Sequence, residues 1–87
     1  PQEFFIEMIK VMYYFDSFKD FDKDKKNRKS NIYEAVKREK VPATAKELII
    51  ESIYRMKKIL RDNSINEKTL EYSLQSKFNK IHKKIYT

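Results

Sequence analysis

Along residues 2 to 21, Phe4, Met8, Val11, Phe15 and Phe18 recur at spacings of three and four, the repeat that puts side chains on one face of an α-helix. A second set, Phe5, Ile9, Met12 and Tyr13, widens the stripe until most of the circumference is apolar. Such a helix needs neighbours on both sides. The pattern therefore predicts a first helix that is either the centre of a bundle or has a face left over for another protein. Phe4, Phe5, Ile9 and Tyr13 are the candidate residues for that homomeric or heteromeric contact.

The next segment, Asp-Lys-Asp-Lys-Lys-Asn-Arg-Lys over 22 to 29, holds no apolar residue and reads as a solvated, mobile basic loop. Ser30 or Asn31 then stands where it can cap a short second helix, with Glu34 in the position of a capping-box acid. Ile32, Val36 and Ala35 would face inward, and Lys37, Arg38 and Lys40 outward. Pro42 would end this helix, because a proline pushes the residue before it out of the α region.

Thr44-Ala45-Lys46-Glu47 has the form of a capping box, and Leu48, Ile49, Ile53, Met56, Ile59 and Leu60 after it share one side of a long helix reaching about Arg61. Asp62 and Asn63 make the turn. Ser64-Ile65-Asn66-Glu67 is a second capping box, opening a last helix with Leu70, Leu74, Phe78, Ile81 and Ile85 as its core stripe. The expectation is an all-α protein, a single domain over residues 1 to 87, built as a small bundle of three long helices plus one short helix.

Composition supports that class. With 0 Gly and 2 Pro in 87 residues, tight hairpins and phosphate-cradling loops lose the residue that makes them cheap. A chain of this length buries only about 60 to 65% of its unfolded surface, and with 0 Cys and 1 His it has neither disulfides nor a Cys-based zinc site to assist. Helix packing must hold it. The longest apolar run, Val11 to Phe15, is far too short to span a bilayer, and no signal-peptide pattern opens the sequence. The expected location is cytoplasmic, with no membrane contact.

The net charge of +7 is uneven. Residues 1 to 22 hold two Lys against five acids, whereas residues 23 to 40 hold eight Lys and Arg against three acids. The basic field starts at Lys23 and runs to the end of the chain. Its candidate nucleic-acid contacts are Lys23, Lys25, Lys26, Arg28, Lys29, Lys37, Arg38 and Lys40 in the loop and short helix, with Lys77, Lys80, Lys83 and Lys84 on the last helix. Lys77, Lys80 and Lys84 share a face. Lysine on a regular face suits phosphates, and the scarcity of Arg argues against bidentate base reading. Tyr33, Tyr54, Tyr72 and Tyr86 are candidate stacking surfaces. The competing reading is that Lys merely solvates these faces.

Other chemistry finds little support. Asp20, Asp22 and Asp24 alternate as in the opening of a calcium loop, but Lys25 stands where a Gly should make the turn and Asn31 where a Glu should close the cage. His82 has no carboxylate nearby in sequence, and no nucleophile motif or phosphate cradle is present. No catalytic residue, metal or cofactor is expected. The third and fourth helices resemble a helix-turn-helix only weakly, since Glu67 and Glu71 at the start of the second would repel phosphate. The expected function is a non-catalytic accessory protein that binds nucleic acid through phosphates, as a small subunit of a replication, transcription or similar complex. The alternative is a helical protein-interaction module, an adaptor or inhibitor, whose lysines meet no nucleic acid.

Overall fold

The computed structural model describes residues 2–63 and 68–86, with the side chains of 69–71 and 85 outside the description. Four α-helices and one 3₁₀ turn make up the regular structure, and the described residues contain no strand. They run α1 (Gln2–Lys19), α2 (Phe21–Lys26), the 3₁₀ turn (Arg38–Lys40), α3 (Val41–Asp62) and α4 (Lys68–Tyr86). The all-α class expected from the sequence is what the chain adopts.

The core is the first of the two stripes on α1 packed against α3 and α4. Val11, Phe15 and Phe18 are buried with Ala45, Ile49 and Met56 of α3 and Leu74 and Ile81 of α4. Phe4, Met8, Leu48, Ile53 and Phe78 pack around them. The Phe18 ring stacks on Phe78 with centroids 5.3 Å apart. Leu60 is buried as its place in the α3 stripe implies. The side chains of Leu70 and Ile85 of the expected α4 stripe, and the capping box at 64–67, lie outside the description.

Residues 20 to 42 depart from expectation in three ways. Residues 21 to 26 are a helix, not a loop. The buried ring of Phe21 anchors its start, and the charges are helically ordered, with Asp22 and Asp24 in the first turn and Lys23, Lys25 and Lys26 in the last, the order that complements the helix dipole. Conversely, the expected short helix around 31 to 41 is absent, and residues 32 to 35 form a turn. Asn31 does bond backbone ahead of it, its Oδ1 accepting from the Tyr33 N–H at 2.9 Å, but this is an Asx turn that goes no further. Its amide is drawn elsewhere, donating to the Ser17 carbonyl at 2.8 Å and to Asp24 Oδ2 at 2.9 Å. Tyr33 takes the inward place expected of Ile32 and Ala35, which are exposed. The Tyr33 hydroxyl donates to the Tyr14 carbonyl at 2.9 Å, and burial pushes its pKa well above the usual tyrosine value.

Pro42 opens a helix instead of ending one. It lies in the first turn of α3, where a proline's missing N–H costs nothing and its fixed φ is already helical. Thr44 is therefore inside α3, its Oγ1 donating back to the Lys40 carbonyl at 3.0 Å, so the Thr44 to Glu47 pattern is not the cap.

The assembled molecule is a thin slab of 44 × 24 × 15 Å between Cα atoms. No described element covers the outer face of α1, where Phe5, Ile9, Met12 and Tyr13 stay exposed.

Candidate functional site

The expected cationic residues are all exposed: Lys23, Lys25, Lys26, Arg28 and Lys29, Lys37, Arg38 and Lys40, and Lys77, Lys80, Lys83 and Lys84. What the fold adds is their relation to one another. Arg38 Nε and Nη2 donate to the two Asp22 carboxylate oxygens, each at 2.9 Å, which ties the 3₁₀ turn to α2. The Tyr86 hydroxyl donates to the Arg38 carbonyl at 2.7 Å, and the Arg38 guanidinium lies 4.7 Å from the centre of the Tyr86 ring. These contacts bring the end of α4 to the same place. The end of α4 that carries Lys83 and Lys84 thus lies against the turn that carries Lys37, Arg38 and Lys40.

The hydrogen bonds and charge of Arg38 hold the Asp22 carboxyl below its ordinary pKa against the opposing effect of burial, with Lys25 helping. Three of the cations serve the fold as well. Arg38 spends its guanidinium on Asp22, Lys77 Nζ sits 5.2 Å from the Phe15 ring centre, and Lys25 Nζ sits 5.9 Å from that of Phe21. Lys25, Arg28 and Lys29 also rim a cleft of about 250 Å³ floored by Phe21 and Asn31.

At the end of α2, Arg28 has φ 55°, the left-handed region usually left to glycine. The Lys29 N–H bonds the Asp24 carbonyl at 2.8 Å and the Arg28 N–H that of Lys25 at 3.3 Å, the paired bonds of a Schellman cap.

The tyrosines do not form a stacking platform beside these cations. Tyr33 is buried, and Tyr86 is enclosed by Phe18, His82 and Arg38. Tyr54 and Tyr72 are exposed, but Tyr72 stands fourteen residues before Tyr86 on α4, roughly 21 Å away at 1.5 Å per residue. The alternating aspartates do not gather either: Asp22 faces Arg38, Asp24 faces Asn31, and the described residues hold no group of three acids or histidines placed for a metal ion. His82 is stacked between Phe78 and Tyr86.

The outer face of α1 is the second feature. Phe5, Ile6, Ile9, Met12 and Tyr13 are 65%, 47%, 66%, 52% and 55% exposed. Phe4 is half-buried and packs on the core, so of the four expected contact residues it alone is taken up by the fold. Ile6 is not among those four. It falls outside both apolar stripes, and only a full helical projection of 2 to 19 places it beside Ile9 and Tyr13.

On the inner side, Glu7 is buried and receives Arg55 Nε at 2.9 Å. Burial opposes its charge, but the hydrogen bond and charge of Arg55, with Ser52 and Lys10 nearby adding to them, outweigh it and keep the carboxyl below its ordinary pKa. The described residues hold no helix long and apolar enough to cross a membrane. Comparison with family models, curated proteins and solved structures yields no match.

Proposed function

We propose that the protein is a non-catalytic accessory factor that binds nucleic acid through its phosphates, working as a small cytoplasmic subunit of a replication, transcription or similar assembly. The observation that supports this reading is the meeting of the two basic groups through the Asp22–Arg38–Tyr86 contacts. In this reading a ligand at that place draws on lysines of α2, the 3₁₀ turn and the end of α4. Ten of the twelve candidate cations are Lys, and the Arg38 fork is already occupied by Asp22. Such a surface attracts phosphate charge and offers few bidentate groups to read base edges.

The test is fluorescence anisotropy with single- and double-stranded oligonucleotides at about 50 mM salt, where phosphate attraction is strong. Binding should show little sequence preference and fall steeply as salt rises. Changing Lys26, Lys40 and Lys84 together to Ala should weaken all sequences alike and flatten the salt slope by roughly 0.7 to 0.9 for each phosphate no longer neutralised. No binding at low salt removes the reading.

The second reading is a protein-interaction module, and the exposed apolar face of α1 favours it. The two are compatible: α1 would dock protein while the basic end meets phosphate.

A further inference from the structure

We infer that the outer face of α1 is an isologous interface, on which a second copy of this chain packs antiparallel about a two-fold axis at Ile9. The inference rests on the reading of α1 as a docking face and is independent of nucleic-acid binding. Its basis is the arrangement of the exposed side chains. Phe5, Ile6, Ile9, Met12 and Tyr13 are symmetric about position 9: Phe5 and Tyr13 lie four residues either side of Ile9, Ile6 and Met12 three either side. Gln2 and Asp16, both exposed, close the pattern at seven.

A two-fold contact demands that residue i meet residue j while j meets i. Antiparallel helices with their dyad at Ile9 satisfy this with an aromatic opposite an aromatic, an aliphatic opposite a thioether, and Ile9 on its own mate. Positions 5, 6, 9, 12 and 13 follow one another at helical spacings, so they form one continuous face over more than two turns of α1. The antiparallel pairing also sets each Asp16 against Gln2 of the other copy and not against a second Asp16.

Size and charge agree. Aromatic side chains bury roughly 150 to 250 Å² each when covered and Ile and Met somewhat less, so five that are about half exposed present on the order of 500 Å² per copy, or 1,000 Å² for the pair, the threshold of a specific interface. Within the face no residue between Gln2 and Asp16 is charged. The nearest cation to the dyad, Lys10, is held toward its own Glu7 at 3.4 Å.

Because the chain has 0 Cys, single cysteines read out this geometry directly. Sedimentation equilibrium of the full chain should give twice the monomer mass at high concentration, and Ile9→Glu, with an unchanged helical circular-dichroism spectrum, should abolish the dimer. Under mild oxidation Ile9→Cys should cross-link to itself, Phe5→Cys should not, and Phe5→Cys mixed with Tyr13→Cys should give the hetero-cross-linked pair. Tyr54→Cys, exposed on α3, is the collision control. A strict monomer overturns the proposal, and so does a dimer in which Phe5→Cys cross-links to itself. Should the chain be monomeric while a photo-reactive group at position 9 captures a different protein, the second-copy proposal falls and the docking reading survives. Capture of nothing removes both.

Discussion

Arg28 carries a left-handed backbone in a chain that contains 0 Gly. For an L-residue with a β-carbon this conformation costs about 1 kcal/mol or somewhat more, and the Schellman bonds of Arg28 and Lys29 hold it in place. Arg28→Gly should therefore stabilise the protein by about 1 kcal/mol, read as a higher urea midpoint with an unchanged slope. Glu7 makes the opposite kind of prediction. Its folded pKa is lowered from 4.5, so its stabilising contribution is complete above about pH 4.5 and is lost as the pH falls through the lower folded value. Urea melts from pH 7 to pH 3 should show wild type losing stability across that acid range. Glu7→Gln should lose less, the gap between the two narrowing as pH falls. Neither feature was legible in sequence. A left-handed Arg carries no compositional mark, and the contact between Glu7 and Arg55 spans 48 residues.

At the level of elements, long apolar periods were legible and short segments were not. The inner stripe of α1, the body of α3 and the visible part of the α4 stripe follow directly from their repeats, because many side chains vote for one face. Between Asp20 and Pro42 single residues decide. Phe21 converts a charged run into helix, Tyr33 and Asn31 convert a capping signal into a turn, and Pro42 reads as a stop or a start depending only on what precedes it. The candidate site divides in the same way. Which lysines are exposed was legible, but their meeting through Arg38 and Tyr86 depends on contacts made only in the fold. Asn31 is the clearest lever on this segment. Asn31→Ala removes three hydrogen bonds and strands the Ser17 carbonyl and the Tyr33 N–H. At roughly 0.5 to 1.5 kcal/mol for each bond, it should cost about 3 kcal/mol in denaturant unfolding. It should also loosen the basic end enough to make the 27 to 37 peptide bonds early targets of limited proteolysis.

Taken whole, the molecule is an α1–α3 pair with α4 added, since α1 meets α3 along much of its length whereas α4 touches each of them over fewer residues. That asymmetry sets an order of opening. Among the described residues of α4, Leu74, Ile81 and the aromatic stack of Phe78 and Tyr86 on Phe18 hold it to the pair, so the helix should open as a unit before α1 and α3 separate. Native-state amide exchange should find α4 protected by a smaller free energy than the middles of α1 and α3. Equal protection in all three helices would mean that the slab opens as one unit. Peeling of α4 would uncover the core face of Phe15 and Phe18 while the outer face of α1 stayed in place. The protein would then pass through a partly open form that exposes a second apolar surface, one whose population temperature and denaturant control.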